Sequence, residues 1–239
     1  MGALRRASPL IMGCVVSLII SVQGASAQPR HSPSHRPAGA ETTVSATLVA
    51  SGAAMTVGKT APAPRAFYPF CEKSPAECQP TGDVAAFSAG PERMAELVAV
   101  NDEVNASVTQ VTDLEHFGVS DLWTLPTDGK GDCEDIALLK RRKLIDKGWP
   151  SGRLLMSAVL DQQGKGHAVL VAVTDQGDVV LDNKRDDVRP WKRTGYFFIT
   201  RQSQSSPMKW VYTAPQSQIL IAMRRAAAPL GSKPSAPLR

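Results

Sequence analysis

The 239-residue chain has 27 lysines and arginines against 22 aspartates and glutamates, a formal charge of +5, and 43% of it is hydrophobic. The excess charge lies in the ends: residues 28–66 hold four basic and one acidic side chain, 213–239 hold four basic and none acidic, and 67–212 hold 17 basic and 21 acidic, a net of −4. An acidic centre between basic ends excludes the basic folded face that nucleic-acid binding needs, and 67–212 is the size of one domain with a single core.

In chain order, Arg5 and Arg6 precede an apolar run from Leu10 to Val22 and a small-residue site at Ala25-Ser26-Ala27, which reads as an export signal over 1–27. The run is too short for a membrane span, so no stable span is expected after cleavage, and the compartment is periplasmic or extracellular. Residues 28–66, rich in Pro, Ser, Ala and Thr, read as a disordered linker. Loss of Cys14 with the signal leaves three of the four cysteines, of which Cys71 and Cys78 form the natural pair and Cys133 stays free. Pro91 and Glu92 open a helix that runs through Val104. A second helix is expected from about Asp132, its cap, to Lys147, stopped by Gly148 and Pro150. Its basic run Lys140–Lys143 reads as a solvated face, and Trp123 and Trp191 as core or rim packing. Beyond Gly152 the apolar pattern changes to strands at Leu154–Leu160, His167–Thr174, Val179–Leu181, Tyr196–Thr200 and Trp210–Tyr212, joined partly by hairpin-length turns. Helices followed by strands predict an α+β domain over 67–212, with the helix of Cys133 packed on an antiparallel sheet. Residues 213–239 read as a basic, disordered tail.

The chemistry concentrates in Gly131-Asp132-Cys133-Glu134-Asp135. A cysteine at a helix start gains thiolate character from the unpaired N–H groups there. Asp132, Glu134 and Asp135 oppose this, so either His167 supplies a compensating charge or a cation sits among the carboxylates, which suit Ca²⁺. His167 opens one strand and Asp182 closes its hairpin partner, an order that suits nucleophile, base and orienting carboxylate. Taken alone, the acidic segment also fits a helix turn around a buried structural cysteine.

These motifs, with Phe70-Cys71 and Cys78, Val100-Asn101, Val104-Asn105, Trp123, Gly148-Trp149-Pro150, Gly166-His167, Leu181-Asp182-Asn183 and Arg201-Gln202-Ser203, resemble the bacterial transglutaminase-like cysteine proteinases, which include the LapG-type periplasmic proteases. The resemblance spans about Phe70 to Trp210. It implies a papain-like, transglutaminase-like fold, a Cys133–His167–Asp182 triad, and calcium held by Asp132 and Glu134 with Asp135. It further implies cleavage of a protein of the cell envelope, such as a biofilm adhesin, and control by an inner-membrane receptor for cyclic di-GMP. Two other classes use the same residues: acyl transfer to an amine, and a non-catalytic calcium-binding envelope module.

Overall fold

The computed structural model describes residues 53–227. The expected export signal, most of the expected linker and the end of the expected tail lie outside the described residues. The chain forms β1 (Thr60–Ala61), α1 (Phe67–Lys73), α2 (Pro91–Ser107), β2 (Thr109–Gln110), α3 (Asp113–Phe117), β3 (Lys130–Gly131) and α4 (Cys133–Asp146). There follow β4 (Leu154–Leu160), β5 (Gly166–Thr174), β6 (Gly177–Asp182), β7 (Arg185–Pro190), β8 (Phe197–Ser203), β9 (Ser206–Tyr212) and α5 (Gln216–Ala227). This is the expected α+β arrangement. One antiparallel sheet has the order β1-β9-β8-β4-β5-β6-β7, and β2 and β3 form a separate parallel pair.

The apolar runs of the central strands are nearly continuous because both faces are buried. Leu154, Met156, Leu170, Ala172 and Leu181 face a core built with Ile136 and Leu144 of α4 and Leu97, Val100 and Val104 of α2. Leu155, Val159, Val169, Val171, Val180 and Phe198 form a second cluster with Met55 on the other face. Helix α4 ends where Gly148 adopts φ 88°, with Gly148 N–H donating to Ile145 O at 2.8 Å and Trp149 N–H to Leu144 O at 3.0 Å. That closure satisfies carbonyls the helix would otherwise leave open. The short turn between Cys71 and Cys78 is closed by the expected disulfide.

Several expectations need correction. Order begins before Phe67: Met55 N–H donates to Asp178 at 2.9 Å, Trp191 Nε1 donates to Ala53 O at 2.7 Å, and β1 pairs with β9. The polar composition that suggested a linker is compatible with order because the backbone there adds to a sheet edge. It also extends past Tyr212, since α5 occupies 216–227 and buries Ile219. Strand β7 was missed because its residues are mostly charged and only Val188 is buried. Within the supposed solvated face of α4, Lys140 and Arg141 are each 1% exposed. Arg141 is held by Leu154 O at 3.1 Å and Glu77 O at 2.8 Å, and Arg142 pairs with Glu77. These bonds tie α4 to the sheet and to the disulfide loop, which fixes where its first residue lies.

Candidate active site

Cys133 begins α4, and its Sγ meets the sheet at Ala168, whose N–H donates to it at 3.4 Å. The half-buried thiol donates in turn to Glu134 Oε2 at 3.1 Å. Burial pushes the thiol well above its ordinary range and the Glu134 charge adds to this, while the Ala168 N–H favours the thiolate. As an isolated polypeptide, then, the arrangement holds Cys133 protonated.

His167 and Asp182 come together by register. The β5–β6 ladder pairs Leu170 with Leu181, and one further step brings Asp182 opposite Val169, on the face shared with His167. Nε2 of His167 lies 2.8 Å from Asp182 Oδ1, and both side chains are almost wholly buried. A carboxylate only accepts, so Nε2 carries the proton and Nδ1 is the basic nitrogen of the neutral ring. Asp182 Oδ1 also accepts from Lys184 N–H at 3.1 Å, and Oδ2 from the Tyr196 hydroxyl at 2.5 Å. Burial would raise this carboxyl, but His167 and Tyr196 outweigh it and hold it down at about 2. The Tyr196 ring stands edge-on to the imidazole with centroids 5.6 Å apart.

Around the thiol lies a set of carboxylates wider than the sequence suggested. Asp132, Cys133 and Glu134 bring ligand atoms within 4.8 Å of one another, as do Asp113, Asp121 and Glu134, and Asp113, Asp132 and Asp135. The β2–β3 pairing causes this: Gln110 lies opposite Gly131, so the segments that follow the two strands, Asp113 on one and Asp132 on the other, emerge side by side. A readable Thr112–Glu115 capping box sets Asp113 at the start of α3. Asp113 Oδ1, Asp132 Oδ1 and Asp135 Oδ2 are buried without a hydrogen-bond partner. Burial raises Asp135 to about 7, with Asp132 and Asp113 adding to it, and burial together with Asp132 raises Glu134 well above the carboxylate range. Asp132 occupies the cap position of α4, as expected, but makes no side-chain cap bond because its carboxylate lies in this cluster instead.

Residues 57–218 match the family model described as bacterial transglutaminase-like cysteine proteinase. The chain belongs to this family. Its members are cysteine peptidases, and the mixed helices and antiparallel sheet are the family's transglutaminase-like fold. LapG from Legionella pneumophila is similar at 24% identity over 55% of this chain and 77% of that one, with a TM-score of 0.43. Its calcium-bound form is similar at 22% identity over 58% and 82% of the two chains, with a TM-score of 0.43. Among curated proteins there is no match. All the sequence-predicted site residues of this peptidase lie in one region: Cys133 against β5, His167 beside Asp182, and Asp132, Glu134 and Asp135 in the acidic cluster. The sequence reading missed Asp113, Asp121 and Tyr196. Trp123 is core, buried edge-on against Phe67 and Trp210, as expected. Among the described residues no helix is long and apolar enough to cross a membrane.

Proposed function

We propose that the protein is an exported, calcium-supported thiol peptidase that hydrolyses a peptide bond in another envelope protein through Cys133, His167 and Asp182. The observation that carries the reading is the buried 2.8 Å bond between His167 Nε2 and Asp182, which leaves Nδ1 to act as the base, one residue along β5 from Ala168, whose N–H meets the thiol. Cys133 gives its proton to Nδ1 and the sulfur attacks the scissile carbonyl carbon. Backbone N–H groups at the start of α4 receive the oxyanion. Collapse expels the amine, which takes the proton from the imidazolium, and leaves a thioester. His167 then deprotonates water, which attacks the thioester, and sulfur leaves as Cys133. Asp182 keeps the ring in the productive tautomer and steadies its cationic form.

The acidic cluster fits a hard cation, because three of its buried carboxylate oxygens have no other partner. Asp132, Glu134, Asp135 and Asp113 would hold the calcium ion, with Asp121 at its edge. When bound, the ion supplies positive charge beside Cys133 and so opposes the carboxylates that keep the thiol protonated. The export signal read in the sequence supports a periplasmic or extracellular site of action. The family resemblance supports a biofilm adhesin as the first substrate to test and a cyclic di-GMP receptor of the inner membrane as the regulator.

The test is the alkylation rate of Cys133 at about neutral pH, with calcium and with a chelator, in the wild type and in His167→Ala. Expected is fast, calcium-dependent modification that falls at least about tenfold in the variant. Slow modification under every condition would favour a non-catalytic calcium module. With an envelope substrate the mature protein should give two fragments, and Cys133→Ala none; a single crosslinked species of higher mass would mean acyl transfer instead.

A further inference from the structure

Two helix side chains that the reaction above does not use converge on the backbone of Asp182. Asn101 of α2 is fully buried, and its Oδ1 accepts from Asp182 N–H at 3.1 Å and from Lys140 Nζ at 2.8 Å. Its Nδ2 donates to Arg185 O at 3.1 Å and to Asp186 O at 2.7 Å. All four hydrogen-bonding positions of the carboxamide are therefore filled, which leaves it a single orientation. One helical turn on, Asn105 Nδ2 donates to Asp182 O at 3.0 Å and Arg185 O at 2.9 Å. The two asparagines thus grip the β6–β7 turn on both sides of Asp182, where the ladder to β7 shifts register between Val180 and Asp182. Ladder bonds alone do not fix a strand at such an irregularity.

Lys140 is unusual as a buried cation placed two turns along α4 from Cys133. Burial draws its amine down to about 7, against the attraction of Asp182, Asp186 and Asp102. Its bond to Asn101 links the helix that carries the nucleophile to the turn that carries the carboxylate.

We propose that Asn101 is a positioning residue for Asp182, fixing the turn so that the carboxylate meets His167, with Lys140 anchoring Asn101 to α4 and Asn105 completing the grip. This rests on the reading of Asp182 as the group that orients His167. Asn101 touches no reacting atom; it acts through the Asp182 backbone.

The experiment follows the His167 Nε2–H proton by low-field proton NMR, assigned by its absence in His167→Ala, together with Cys133 alkylation and thermal unfolding. In calcium-loaded Asn101→Ser the resonance should move upfield or broaden away, and alkylation should slow by about 10- to 100-fold in a protein that still folds. Asn105→Ala should do the same to a smaller degree, and it decides the matter if Asn101→Ser does not fold. A purely structural role would lower the unfolding temperature but leave the resonance and the alkylation rate within about twofold of wild type, which would overturn the proposal. If the wild type itself shows no low-field proton that His167→Ala removes, the His167–Asp182 reading fails, and the positioning role fails with it. That result is distinct from a normal wild-type resonance that the asparagine variants leave in place.

Discussion

At the scale of single residues, the site is a contest between groups that hold charge and groups that resist it. Asp182 is kept ionised by three donors, while Cys133 is kept neutral by its burial and by Glu134. The two ends of the proposed triad are therefore tuned in opposite directions. Replacing Asp182 with Asn would retain the shape but remove the charge and put an amide donor in place of one acceptor, so either the Tyr196 hydroxyl must turn round to accept or the imidazole must change tautomer. Tyr196→Phe is the milder probe, because it removes a single 2.5 Å bond and leaves the His167 contact in place. Expected are a fall in the Cys133 alkylation rate of on the order of 10²-fold or more for Asp182→Asn and of only about 2- to 10-fold for Tyr196→Phe. Equal effects of the two, read at a common pH with calcium present, would show that the hydroxyl and the carboxylate act as one unit.

At the scale of elements, helix α4 and strands β4 to β6 were legible because local signals agreed with their final packing: acidic start and glycine stop for α4, aliphatic runs separated by turn residues for the strands. The places of Cys133, His167 and Asp182 in the fold were legible for the same reason, since each stands at or next to an element end that local pattern could place. Elements whose stability comes from pairing alone were not legible. β1, β2 and β3 are two residues each and exist because a neighbouring backbone offers partners, and β7 is charged along most of its length. Asp113 was missed with them, because the β2–β3 pairing that brings it to Asp132 has no sequence period. The packing of Asp135 in turn explains Gly131. A β-carbon there would sit 2.7 Å from the Cβ and 2.8 Å from Oδ2 of Asp135, which is itself fully buried and accepts from Thr124 N–H at 2.7 Å. Gly131→Ala must therefore displace Asp135 from the acidic cluster. Calcium affinity, measured by titration calorimetry, should fall by about 10-fold or more in this variant with the fold retained; unchanged affinity would remove Asp135 from the ligand set.

At the scale of the whole molecule, the acidic cluster ties stability to pH and, on the proposed reading, to calcium, and the sign can be worked out group by group. Asp135 is raised to about 7 in the folded chain from an ordinary 3.8, and Glu134 is raised further from 4.5, so between about pH 4 and 7 the metal-free native state binds more protons than the unfolded state. Stability must fall with rising pH across that window; above about pH 7 the further fall from Glu134 is opposed by Lys140, whose amine, drawn down to about 7, loses its proton in the folded chain before it does so in the unfolded one. Asp182, depressed to about 2, acts in the opposite sense: its contribution is complete above about pH 4 and is lost only as pH drops toward 2. The metal-free protein should accordingly be most stable near about pH 4 to 5, on the acid side of neutrality. Calcium held as proposed would compete with the protons for the same oxygens, so its stabilisation should grow as pH rises and offset the decline. Thermal unfolding from about pH 5 to 7 should show the chelated protein losing on the order of 5–10 °C and the calcium-loaded protein losing little. A chelated protein whose unfolding temperature is flat or rises over that range, or a calcium increment that does not depend on pH, would mean that the carboxylates around Cys133 are not where the ion binds.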